Sequence, residues 1–73
     1  MKLTEAKKNT SVKINAIEDE KLNTDALRFG IEIGQIIKIV EKVFGGPVII
    51  QRDEQQIAIG QELAQKIEVI SDF

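Results

Sequence analysis

The chain has no cysteine, histidine, tryptophan or tyrosine. Without cysteine there is no disulfide staple and no thiolate metal site. Without histidine it lacks the usual proton shuttle near neutral pH and the usual nitrogen ligand for zinc or iron. Any catalysis would fall to carboxylates, lysines and hydroxyls, so the expectation is a protein that is not an enzyme, with no cofactor and no metal site. Phenylalanine occurs three times and proline once, which leaves few aromatic rings for stacking nucleic-acid bases. Basic residues number 10 against 12 acidic, a net charge of −2. That balance does not supply the basic face of a nucleic-acid binder, and Lys7, Lys8 and Lys13 are the nearest approach to a cluster. No apolar run reaches the roughly 20 residues of a membrane span. Met1-Lys2-Leu3 leads into polar residues instead of a signal-peptide core. A cytoplasmic protein without direct membrane insertion is expected.

What is present is aliphatic. Hydrophobic residues make up 42% of the 73 positions, rich in Ile and Val. One domain spanning residues 1–73 is all this length allows, and a chain this short buries only about 60% of its unfolded surface. The most informative stretch runs from Gly34 to Arg52. Two β-branched runs, Ile36-Ile37-Lys38-Ile39-Val40 and Val48-Ile49-Ile50, flank Phe44-Gly45-Gly46-Pro47. This pattern predicts a hairpin with a loop longer than the tightest turn. Gly45 and Gly46 can take positive φ, and Pro47, lacking an N–H, belongs at the first position of the returning strand. Ile37 and Ile39 should face one side, Lys38 and Val40 the other, with Val48 and Ile50 sharing a face.

The flanking segments fit short elements around that hairpin. Residues 1–10 are expected as a loosely held arm with Leu3 as an anchor. Val12, Ile14 and Ala16 alternate with Lys13 and Asn15, a half-buried strand, and Ile17 breaks the alternation as a bulge would. A helix is expected over Leu22–Gly30, capped by Asn23 or Thr24, with Asp25 near its positive end. Leu22, Ala26 and Phe29 should face inward, and Gly30 should close the helix as a left-handed residue with Ile31 docking behind it. Asp53-Glu54 reads as a turn, Gln55–Ile59 as a strand, Gln61–Gln65 as one helical turn after Gly60, and Ile67–Ile70 as a last strand. Short strands at this spacing, with small helical connectors, predict a mainly β fold: a small barrel of about five strands, with a short helix between the first two strands and a helical turn before the last. Closure would remove exposed sheet edges.

Carboxylate chemistry has little footing. Glu18-Asp19-Glu20 could hold a hard cation, but three consecutive side chains diverge and read as a solvated loop. Asp53 and Glu54 sit at a turn, where a raised pKa is not expected. Binding surfaces are better supported. Phe44, Gly45, Gly46 and Pro47 form a loop tip whose aromatic ring either anchors a partner or folds back over the barrel mouth. Leu22 and Leu27 lie on a two-turn helix that can bury one side only, so Leu27 either lines a partner groove or fills the gap to the sheet. Arg28 and Arg52 are the two arginines. Arg28, on the exposed helix face, is the better placed of the two for an arginine finger, the alternative being a solvated charge at the helix end.

The ordered set Gly30-Ile31-x-x-Gly34, Ile37-x-Ile39, Gly45-Gly46-Pro47, Ile57-Ala58-Ile59 and Glu62-Leu63-Ala64-x-x-Ile67-x-Val69 resembles FeoA, the small bacterial ferrous-iron transport protein A family. The similarity covers about residues 12–70. It implies an SH3-like β-barrel that binds no nucleotide itself and works with FeoB, the membrane protein that moves ferrous iron and carries a cytoplasmic GTPase domain. Binding FeoB and modulating its assembly or GTPase-linked activity is therefore the expected function, with Leu22, Leu27, Arg28 and the Phe44–Pro47 loop as contacts. The same barrel forms the C-terminal domain of iron- and manganese-dependent repressors. The alternatives are thus a metal-repressor-type regulatory domain or an RNA-binding barrel. The short stretch before the first strand fits a stand-alone FeoA-like protein better. Departures from the family pattern are Ile33 where proline is common, Gly60 where arginine is common, Ala26 where leucine is common, and Arg52 near a usually apolar position.

Overall fold

The computed structural model describes residues 1–18 and 20–71. Five antiparallel strands form one sheet: β1 (Ser11–Ile17), β2 (Ile36–Lys42), β3 (Val48–Arg52), β4 (Gln55–Ile59) and β5 (Ile67–Ile70). Their order is β4-β3-β2-β1-β5. Helix α1 (Glu20–Arg28) joins β1 to β2, and the single helical turn α2 (Gln61–Ala64) joins β4 to β5. Mainly β, with helices at those two connections, is the architecture the alternating pattern predicts.

Two bulges roll this sheet. The β1–β5 register shifts between Ile14 and Ala16, and the β2–β3 register shifts between Ile39 and Glu41. Each extra residue bends its strand and strengthens the local twist. The first bulge lies earlier than Ile17, where the broken alternation placed it. Beyond it the phase inverts, so Ile17 pairs with buried Ile67 and packs against the core while Ala16 is only half-buried. Ile14, Ile37, Ile39, Ile50 and Ile67 are among the fully buried side chains that fill the interior. No polar or charged residue is buried among the described residues.

The barrel is not closed by strand pairing: β4 and β5 stand at the two ends of the sheet, and α2 spans the gap between them. The outer edge of β5 is covered by the N-terminus. Met1 donates its N-terminal N–H to the Val69 carbonyl at 3.1 Å, and Val69 N–H donates to the Met1 carbonyl at 2.7 Å. A 3-10 turn, Leu3–Glu5, follows and buries both Leu3 and Ala6 completely. The first residues are therefore held more firmly than a loose arm anchored by Leu3 alone, because backbone pairing with β5 and a second apolar side chain fix them.

Helix α1 begins earlier than Leu22. Asn23 and Thr24 lie inside it, and Thr24 Oγ1 donates back to the Glu20 carbonyl at 3.0 Å, so neither caps the start and Asp25 sits mid-helix. Glu20 and Lys21, both good helix formers, extend the helix toward β1. Its end matches expectation. Gly30 has φ +79°, Gly30 N–H donates to Leu27 O at 3.0 Å, and Ile31 N–H donates to Ala26 O at 3.0 Å. This is the paired hydrogen-bond pattern of a Schellman cap, with Ile31 and Ala26 both fully buried.

The β2–β3 loop is closed by Gly46 N–H to Val43 O at 2.8 Å and Val43 N–H to Pro47 O at 3.2 Å. Only Gly45 of the pair takes positive φ, at +71°. Gly46 matters for space instead, since a Cβ there would lie 3.0 Å from Val43 Cγ1. Pro47 precedes Val48, the first residue of β3, by one position.

Candidate functional site

Open grooves mark the described surface. Among the described residues no three His, Cys, Asp or Glu side chains come together as a metal site; Asp19 of the acidic run lies outside them. The acidity of Glu41 is displaced. Its carboxylate accepts a hydrogen bond from Lys8 Nζ at 3.0 Å and another from its neighbour's Lys42 N–H, and both hold its pKa below the ordinary glutamate range. Both side chains of that pair are about half exposed to solvent.

A groove of about 720 Å³ runs between α1 and α2. Leu22, Phe29 and Leu63 supply its apolar surface, and Lys21, Asp25, Arg28, Glu62 and Lys66 its charged rim. Lys66 is held by Glu18 at 3.7 Å. Arg28 is exposed and makes no ion pair among the described residues. A second groove, about 560 Å³, lies on the other side of the α1 C-terminus, between Leu27, Arg28 and Phe29 and the start of β4. Its inner wall is Arg52, which donates from Nη1 to the Gly30 carbonyl and from Nη2 to Gln55 Oε1 at 2.8 Å.

The expected contact residues thus separate into two regions. Leu22, Leu27 and Arg28 cluster around α1, with Arg28 shared by both grooves. Leu27 is 51% exposed and so does not fill the helix–sheet gap. Phe44, Gly45, Gly46 and Pro47 form the tip of the β2–β3 hairpin, where the Phe44 ring is fully exposed and does not fold over the barrel mouth. A hollow of about 300 Å³ beside it is lined by Thr4, Lys42, Phe44, Val48 and Gln61.

Phe29 corrects the inward face predicted for the helix. It follows the last helical residue, and the left-handed turn at Gly30 carries the chain away, leaving the Phe29 ring 55% exposed while Ile31 takes the buried place. Helical periodicity cannot find this residue, because the periodicity has already stopped. The Gly30 cap itself was the available signal.

A model of the FeoA domain matches residues 1–71. The chain belongs to the FeoA family. A comparison with curated protein sequences gives no match. Among solved structures, the FeoA-like protein from Clostridium acetobutylicum is similar at 24% identity with a TM-score of 0.87, over 100% of this chain and 87% of that one. An iron uptake regulatory protein, FeoA, is similar at 24% identity with a TM-score of 0.86, over 94% of this chain and 93% of that one. ScaR, solved with bound Zn2+, is similar at 28% identity with a TM-score of 0.83; the match takes in 94% of this chain but 35% of ScaR, so the FeoA domain spans about a third of that protein's length. These likenesses agree with the SH3-like barrel. No helix among the described residues is long and apolar enough to cross a membrane.

Proposed function

We propose that this FeoA domain works in the cytoplasm as a docking module for FeoB, binding the transporter's cytoplasmic GTPase part through the groove between α1 and α2. The observation that carries this reading is the combination of Leu22, Phe29 and Leu63 with an exposed Arg28 that makes no ion pair among the described residues. Apolar area beside an exposed guanidinium is the composition of protein-binding hot spots, and the groove lies within the size range of formed binding sites. Leu27, exposed on the other side of the α1 C-terminus, and the Phe44–Pro47 tip, beside Gln61 of α2, supply further contacts.

Regulation follows if the domain binds one nucleotide-linked conformation of FeoB more tightly than another; equal affinity for both would shift nothing. Arg28 can then act either as a docking charge or as an arginine finger at the bound nucleotide. Titration of the domain against detergent-solubilised FeoB, with and without guanine nucleotide, tests the proposal. Nucleotide-dependent binding weakened by Phe29→Ala supports it. No binding in either state by a folded domain overturns it. Arg28→Ala with binding reduced and GTP turnover per bound complex unchanged removes the finger role alone.

A further inference from the structure

The two end strands of the sheet are treated differently. The β5 edge is occupied by Met1 and Lys2. The β4 edge carries no paired segment among the described residues. Arg52 pairs with Gln55 across the two-residue Asp53-Glu54 loop, so that pair is hydrogen-bonded, and alternation makes Ile50–Ile57 and Val48–Ile59 hydrogen-bonded as well. Gln56 and Ala58 are left with their N–H and C=O groups pointing outward, and neither makes another backbone hydrogen bond among the described residues. Native edges are usually blunted by charge, proline or a bulge. Gln55-Gln56-Ile57-Ala58-Ile59 has no charge and no proline, and its pairing with β3 shows no register shift.

We infer that the β4 edge pairs antiparallel with the β4 edge of a second copy of this chain, about a two-fold axis passing through Ile57. The register is dictated by the outward groups. Gln56 of one copy faces Ala58 of the other, and the same pair recurs on the far side of the axis, giving four backbone hydrogen bonds. Ile57 then meets its own symmetry mate in a non-hydrogen-bonded pair, where side chains approach closely, and its half-buried side chain is completed by the contact. A patch that matches itself in this way is the isologous interface of a two-fold dimer.

The pattern of outward groups favours a second copy over an unrelated strand, because it repeats about Ile57. Arg28 and Arg52 at the N-terminal end of β4 are balanced by exposed Asp53 and Glu54 of the preceding turn. Antiparallel pairing opposes no like charges within the strands, since Gln55–Ile59 carries none. Leu27 and Phe29, exposed beside the same end of β4, add apolar cover. The strand is short, so the dimer is a weak one of small interface. The backbone pairing of β4 does not depend on FeoB docking in the groove between α1 and α2, although Arg28 and Phe29 line the grooves on both sides of the helix end.

Sedimentation equilibrium of the full chain, up to about 1 mM because small interfaces bind weakly, should show the mass rising from monomer toward dimer. Hydrogen exchange at the Gln56 and Ala58 amides should slow in parallel with concentration. Ala58→Pro removes one outward N–H at a position where an edge tolerates proline, and should give a folded monomer by circular dichroism. Gln56→Lys with Ala58→Lys opposes like charges twice across the axis and should also be monomeric. Gln56→Lys with Ala58→Glu opposes unlike charges in the same register and should restore dimerisation, which keeps the test decisive even if the proline variant fails to fold. A wild-type chain that stays monomeric, a dimer indifferent to the two charge variants, or protection of Gln56 and Ala58 appearing only when FeoB is added would each overturn the inference.

Discussion

Arg52 on β3 holds the end of α1 by donating to the Gly30 carbonyl, while Gly30 has no Cβ and so lets the guanidinium approach. The two residues lie 22 positions apart and belong to different elements, yet they meet at the end of α1. A side chain at Gly30 would meet the Arg52 guanidinium and would have to adopt φ +79°.

Gly30→Ala should therefore cost about 2–3 kcal/mol, combining left-handed strain of about 1–2 kcal/mol with loss of the Arg52 contact. Gly45→Ala has a similar φ, +71°, but open space around the new methyl, and should cost about 1 kcal/mol. Urea denaturation of both variants, compared at equal m-value, measures the difference. Equal losses would show that Arg52 adds nothing to the cap.

Leu3→Ala should destabilise by about 3 kcal/mol, the usual loss for a fully buried leucine. Leu3 is fully buried under the 3-10 turn, and a small domain has little stability to spare. Thermal unfolding followed by circular dichroism checks this. A change within about 0.5 kcal/mol, typical of surface sites, would mean that the first residues are not part of the core in solution.

Phe44→Ala should leave stability unchanged within about 0.5 kcal/mol, because the ring is fully exposed and touches no core. Its effect should appear in FeoB affinity, lowered about fivefold if the hairpin tip is a contact. Denaturation and titration on the same preparation separate the two roles.

Lys8→Ala should move the Glu41 titration upward toward the ordinary glutamate range, since the Lys8 hydrogen bond is the largest cause of its lowered pKa. A carboxylate whose folded pKa is depressed adds stability above its unfolded pKa and loses it as pH falls through the folded value. The contribution should thus be present at neutral pH and fade on acidification. Carboxyl-resolved NMR titration of both proteins measures the shift, and added salt should shrink it because the pair is solvated.

Arg28→Ala should weaken FeoB binding about fivefold to tenfold, a loss of about 1 kcal/mol for an exposed docking charge. Its own folding stability should not move, since Arg28 has no ion-pair partner among the described residues. Calorimetric titration with FeoB gives the first quantity and thermal unfolding the second.

Local chemistry already specified most of the elements. Alternation located β1, the β-branched runs located the central hairpin, and Gly30-Ile31 located the end of α1, because each depends on neighbours within a few residues. The start of α1 was less legible, since Asn23 and Thr24 are cap-forming types that the helix absorbs when Glu20 and Lys21 precede them. The docking of Met1–Ala6 was hidden as well, because it depends on β5, more than sixty residues away.

By itself the sequence determined that this is a small β domain with an aliphatic core, no imidazole or thiol chemistry, and the ordered motifs of the FeoA family. Only the tertiary structure decided that Phe29 faces solvent, that Arg52 caps α1, and that β5 is covered while β4 is bare. The division has one physical reason. Strand and cap formation are short-range properties of the chain, whereas side-chain exposure and edge pairing depend on which distant segments the rolled sheet brings into contact.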